Sequence, residues 1–220
     1  MYNNKTVYFA VGVLLVILGV FMLIPFFVQI LYGEQNSTFI SSAAITSFMG
    51  VLLVLTNLEE NKKLNLQQAF LLTTLSWLSI AIFGSLPFLL SNINLSLVDS
   101  FFESMSGITT TGSTIIVDID NAPKGILIWR ALLQWLGGIG IIVMAITVLP
   151  LLNIGGMQLF KMKGSDATEK ILPRTREITL IIFIIYLVLT FFCGAAYWIF
   201  GMNIFDSVAH SMTTIATGGF

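Results

Sequence analysis

The sequence predicts an all-α integral membrane fold built from a repeated unit, and three observations carry that prediction. Five apolar runs each reach about 20 residues or more, the length a helix needs to cross a hydrocarbon core of ~30 Å. Charge is scarce: 56% of the 220 residues are hydrophobic, 10% are charged, the net charge is −1 and mean hydropathy is +0.94. A soluble domain of this length needs more charge to cover its surface, and nothing in this balance suits nucleic acid. Finally, two short windows repeat one another at a fixed offset of 107 residues, Asp99 falling on Asp206.

The long runs lie at about Val7–Tyr32, Phe39–Leu58, Leu66–Leu90, Ile126–Leu152 and Ile178–Phe200. The first is too long for a cleaved signal peptide, and no small-x-small cleavage site follows it. Ser41, Ser42, Thr46 and Ser47 dilute the second, as suits close helix packing in lipid. Pro25, Pro87 and Pro150 fall toward the ends of their runs, where a kink or a helix end is tolerated. Two further apolar segments, Leu97–Ile108 and Ile204–Ile215, are too short to cross and end in Thr, Gly and Ser, so they read as re-entrant helices. The organisation is then an N-terminal helix pair (1–62), a first unit of helix, re-entrant helix, loop and helix (63–155), a cytoplasmic loop (156–177) and a second unit (178–220) whose sequence stops within its loop.

Loop charges orient the chain. With the N-terminus in the cytoplasm, Lys5, Lys62, Lys63, Lys161, Lys163, Lys170, Arg174 and Arg176 lie inside and only Lys124 and Arg130 outside, as the positive-inside rule expects. Both short segments then face the outer side, together with Glu34, Asp99, Glu103, Asp118, Asp120 and Asp206. Those acids would concentrate cations locally, or are simply solvated loop charges.

At the 107-residue offset Asp99, Ser100, Ser104, Met105, Ile108, Thr110 and Gly112 fall on Asp206, Ser207, Ser211, Met212, Ile215, Thr217 and Gly219. Ser96 and Asn203 are N-cap residues with Asp99 and Asp206 three positions later, at the positive end of each short helix. Capping, rather than ion ligation, is the reading favoured for both aspartates. The opposite helix end carries partial negative charge, which attracts a cation where the dielectric is low. Immediately beyond it come Thr109, Thr110, Thr111 and Gly112, or Ile215, Ala216, Thr217 and Gly218. Backbone carbonyls there can replace the water of an alkali cation without trapping it, and glycine permits the backbone angles this requires. One such segment would pass for a Ser/Thr/Gly turn; two, each after a short capped helix on the same side, read as ion-lining strands.

The stretches FFESMSGITTTGST and AHSMTTIATGGF, with Trp129–Phe160 and Glu169–Ile178, resemble the Trk/Ktr/HKT superfamily of potassium transporters, in its TrkH-like branch. The likeness runs from about Leu66 to Phe220; the first two spans resemble the family's N-terminal helix pair in hydropathy and position only. It implies a potassium-channel-like pore of four outer-helix, pore-helix, inner-helix units around one pathway, of which this chain holds about one and a half. It implies K+ as the transported ion with no organic cofactor, the bacterial plasma (inner) membrane as location, and a TrkA-like nucleotide-binding ring as cytoplasmic partner. In relatives glycine at the position of Gly112 accompanies potassium, and serine sodium permeability. The ungapped repeat pairs Gly112 with Gly219, whereas the family pattern pairs it with Gly218, so the second lining set is placed at Ile215–Gly218. Two strands cannot enclose an ion. The chain is therefore expected not to conduct as a monomer: it is a truncated product, a non-conducting assembly subunit, or one piece completed by remaining pore units or a second copy.

Other residues admit two readings each. Arg130 and Gln134 brace the pore helix or anchor the span at the interface. Gly137, Gly138 and Gly140 permit close helix contact rather than a hinge. His210, the single histidine, stands where the first repeat has Glu103, and reads as hydrogen-bonded and structural before it reads as a proton sensor. Gly155–Arg176 is a solvated loop or meets the regulatory ring. Cys193, the single cysteine, lies in an apolar run as a buried hydrophobe. His210 and Ser211 invite an intramembrane hydrolase, but the sequence has no Gly-x-Ser-x-Gly turn, no second histidine and no His-Glu-x-x-His helix.

Overall fold

The computed structural model describes residues 4–34, 37–58, 65–148 and 167–220, and every regular element among them is helical. Five stretches are long and apolar enough to span a bilayer: Lys5–Leu31, Thr38–Thr56, Gln67–Leu90, Lys124–Met144 and Glu177–Ile199. Lys62, Lys63, Pro150, Lys161, Lys163 and the first half of the loop expected at 156–177 lie outside the described residues.

Two spans are broken by proline. The first divides into α1 (Lys5–Phe21) and α2 (Leu23–Leu31), and α1 ends on Phe21, four residues before Pro25. The third divides into α4 (Leu66–Gly84) and α5 (Leu86–Leu90) around Ser85, just ahead of Pro87. A proline ring collides with the carbonyl four residues back and donates no amide hydrogen, so each helix stops where that clash begins. Between these spans α3 (Thr38–Thr56) pairs with α1 along the most extensive helix–helix contact in the described residues. Glycine makes the approach close: a Cβ on Gly12 would meet the Gly50 carbonyl oxygen at 2.8 Å, and one on Gly50 would meet that of Gly12 at 2.8 Å. Ser42 and Thr46 are buried in this seam, Thr46 donating to Met22 Sδ at 3.7 Å.

The two short segments are helices α6 (Leu97–Ile108) and α9 (Ile204–Ile215). Between them run α7 (Lys124–Val148) and α8 (Ala167–Ile199). The helix of α8 begins at Ala167, well before the span edge at Ile178, so 167–177 is helical where a loop was expected. Ala167, Glu169, Lys170, Leu172, Arg174 and Arg176 favour helix, and the charges among them keep the stretch from reading as apolar, so hydropathy misses this extension. The core gathers on α7: Trp129, fully buried, donates from its indole to the Gly84 carbonyl at 2.9 Å and stacks edge-on against Phe39.

Gly12→Leu is expected to force α1 and α3 apart and cost about 1–3 kcal/mol, lowering the unfolding temperature of the detergent-solubilised protein. Equal melting of Gly12→Leu and wild type would contradict the close packing.

Candidate functional site

The two repeats share their helix caps and their helix-ending turns. Each short helix opens on its cap, Ser96 Oγ accepting from the Asp99 amide at 3.2 Å and Asn203 Oδ1 from the Asp206 amide at 2.8 Å. Each acid side chain in turn accepts from its cap, Asp99 from Ser96 Oγ at 2.7 Å and Asp206 from Asn203 Nδ2. A strict capping box would use the cap's backbone amide instead, as Asn65 and Gln68 do at the start of α4.

Each short helix also ends the same way. The Thr111 amide reaches the Ser106 carbonyl at 3.0 Å and the Thr110 amide that of Gly107 at 2.9 Å. Their counterparts are Gly218 to Thr213 at 2.9 Å and Thr217 to Thr214 at 3.0 Å. This is a Schellman turn, whose left-handed residue is usually glycine. Here it is threonine twice, with φ of 57° at Thr110 and 56° at Thr217. A β-branched residue in that region is strained by about 1–3 kcal/mol. Two residues on, Gly112 and Gly219 also turn left-handed, at 78° and 74°. Finally Ser106 Oγ donates to the Ser113 carbonyl at 2.6 Å, and its counterpart Thr213 donates to that of Phe220 at 3.4 Å.

Ile215 is the last helical residue of α9, the twin of Ile108, so the geometric counterparts of Thr109–Gly112 are Ala216–Gly219, one residue on from the set Ile215–Gly218 that the family pattern implies. The physical marker is the paired left-handed angle at Gly112 and Gly219, invisible to a motif that counts glycines. The two segments converge, because a Cβ on Gly112 would fall on the Gly218 carbonyl oxygen.

The helix α7 packs against both segments. Arg130 Nε donates to Glu103, with side-chain exposures of 5% and 0%. The same carboxylate accepts from Thr114 Oγ1 at 3.0 and 3.2 Å and from the Ile115 amide at 3.1 Å, fastening the chain as it leaves the first segment. The Arg130 guanidinium also lies 3.9 Å from the centre of the Phe220 ring. Gln134 is fully buried beside Gly218, and Gly137 and Gly138 make room for Ile108 and Ala216. Gly140 has only Trp77 near its Cβ position, at 3.9 Å.

The second repeat lacks this fastening. His210 occupies Glu103's place, but its ring is exposed and meets no hydrogen-bond partner among the described residues, against the structural role expected of it. The face of α9 that bears it is uncovered, whereas α7 covers that of Glu103. Ser211 is buried and donates to the Val208 carbonyl at 2.8 Å, so it forms no nucleophile pair with His210. Cys193 is half-buried in α8. Sequence reasoning missed Glu34, whose carboxylate accepts from the Lys124 and Gly125 amides and caps α7 across 90 residues of chain. No local pattern announces a cap supplied from such a distance.

Known proteins can now be set beside this geometry. A family model described as TrkH, cation transport protein, matches residues 34–220. The chain is 43% identical over 214 residues to the Trk system potassium uptake protein TrkH of Vibrio parahaemolyticus, covering 96% of this chain and 44% of that relative. It is 45% identical over 210 residues to the Trk system potassium uptake protein TrkI of Halomonas elongata, covering 95% and 43% respectively. The crystal structure of the potassium transporter TrkH from Vibrio parahaemolyticus matches with a TM-score of 0.88 at 40% identity, covering all of this chain and 44% of that one. The chain therefore spans under half the length of the relatives it matches.

Arg130→Met and Glu103→Leu are each expected to cost about 3–5 kcal/mol, because each strands a buried charge. The double substitution should recover much of the loss, as read from thermal unfolding of all four proteins. Simple additivity of the two losses would show that the pair is not coupled.

Proposed function

Since the chain belongs to the TrkH family of cation transport proteins, we propose that it takes part in potassium uptake across a bacterial inner membrane, with its N-terminus in the cytoplasm. The observation that carries this reading is the convergence of two identically built Thr/Gly segments, each launched from the C-terminus of a short capped helix. Helix ends lend partial negative charge. Thr109–Gly112 and Ala216–Gly219 supply backbone carbonyls, to which Thr110 and Thr217 can add a hydroxyl. Left-handed backbone at Thr110, Gly112, Thr217 and Gly219 interrupts the alternation of an ordinary strand, so successive carbonyls are not committed to a neighbouring ladder.

Two such segments surround half of a pathway. Conduction through carbonyls alone needs about twice as many, supplied by further pore units of a longer chain or by a second copy. A cytoplasmic nucleotide-binding ring would act from the side of the link between α7 and α8. The intramembrane hydrolase reading has no support, since His210 and Ser211 do not face one another's chemistry.

In proteoliposomes of the complete assembly, Gly112→Ser is expected to lower the rubidium-over-sodium uptake ratio about tenfold, equivalent to ~1.4 kcal/mol of lost discrimination. Gly112→Ala adds the same Cβ against the Gly218 carbonyl without the hydroxyl, and should lower the ratio to a similar extent. Unchanged selectivity in both variants would remove these segments from the ion path. The purified monomeric chain alone should show no rubidium flux.

A further inference from the structure

We propose that Gln134, on the helix of the first repeat, is the positioning residue for the second Thr/Gly segment, acting by occupying the space that a side chain at residue 218 would need. The proposal rests on the ion-path reading above and deepens it.

Three successive turns of α7 touch alternate residues of that segment. The Arg130 guanidinium lies over the Phe220 ring at 3.9 Å. A Cβ built on Gly218 would fall on the Gln134 carboxamide, its Nε2 lying at 2.7 Å. A Cβ on Gly138 would reach Ala216 Cα and Cβ at 3.2 Å. Residues four apart lie on one helix face, so 130, 134 and 138 form a single edge against 220, 218 and 216.

The two adjacent glycines then have different reasons. Gly219 has φ of 74° with no atom within 4 Å of its Cβ position, so it serves conformation. Gly218 is not among the positive-φ glycines, so backbone angle does not demand it; Gln134 does. Gln134 itself is 0% exposed, and both carboxamide atoms lack a hydrogen-bond partner in the structure. Its carboxamide lies where a Cβ on residue 218 would sit, so it fills that space against the second segment.

Burial of the repeats agrees. Ala216 and Gly218 are buried behind α7, while their counterparts Thr109 and Thr111 are half-buried and exposed. Covering thus follows from the preceding unit's helix and not from the segment's own sequence.

The test is a substitution cycle on the full chain with a second readout in the conducting assembly. Gly218→Ala is expected to lower the melting temperature by roughly 3–8 °C, and adding Gln134→Ala should remove most of that loss. Gly219→Ala should lose stability whether or not Gln134 is present. Gln134→Ala alone should lower the rubidium-over-sodium uptake ratio about fivefold, and Leu52→Ala, far from the segments, should leave the ratio unchanged. An equal cost of Gly218→Ala in both backgrounds, or rescue of Gly219→Ala by Gln134→Ala, overturns the proposal, as does an unaltered ratio in Gln134→Ala. If wild type takes up no rubidium but the melting cycle shows the coupling, the transport reading fails and the positioning of the segment stands.

Discussion

Backbone amides and carbonyls at membrane depth must find partners within the protein, and this constraint shapes every part of the chain. Helices satisfy it by themselves, which is why the described residues are helical almost throughout. Beside the links between helices, the exceptions are the two Thr/Gly segments, and each is made tolerable by the same device. A Schellman turn uses the last free carbonyls of the short helix, and a hydroxyl from Ser106 or Thr213 takes up a carbonyl further along.

Strain enters at the same points. Threonine in the left-handed region at Thr110 and Thr217 is held by two hydrogen bonds on either side of it, in both repeats. Glycine would relax that residue, yet both repeats retain threonine. Its hydroxyl is a feature glycine cannot supply, and in the proposed ion path it would serve a cation that has lost its water.

The helical skeleton was legible because its signals are local. The bounds of α6 and α9 follow from Ser96 and Asn203 at one end and the Thr/Gly run at the other. Breaks at Met22 and Ser85 were approximate, since Pro25 and Pro87 announce a break but not which residue ends the helix. The family pattern and the backbone turns set the second segment one residue apart, because a glycine needed for space and a glycine needed for conformation look alike in sequence. Glu34 acts on residues brought to it only by folding, whereas Arg130 and Gln134 read in sequence as braces of the short helix or interface anchors without their individual partners, and Arg130 meets Glu103 of that helix.

The asymmetry between the repeats gives the arrangement its direction. Glu103 collects the Arg130 guanidinium, a threonine hydroxyl and a backbone amide, while His210 in the same position faces outward. The difference does not come from α6 and α9, which share length, caps and turns. It comes from α7, which binds the first repeat through Glu103 and Ile108 and the second through Ala216, Gly218 and Phe220. A helix that clamps its own unit with one edge and the next unit with the other links neighbouring segments in sequence order. Arg130 thus touches Glu103 of the first repeat and Phe220 of the second, so the two Thr/Gly segments are linked through one side chain of α7.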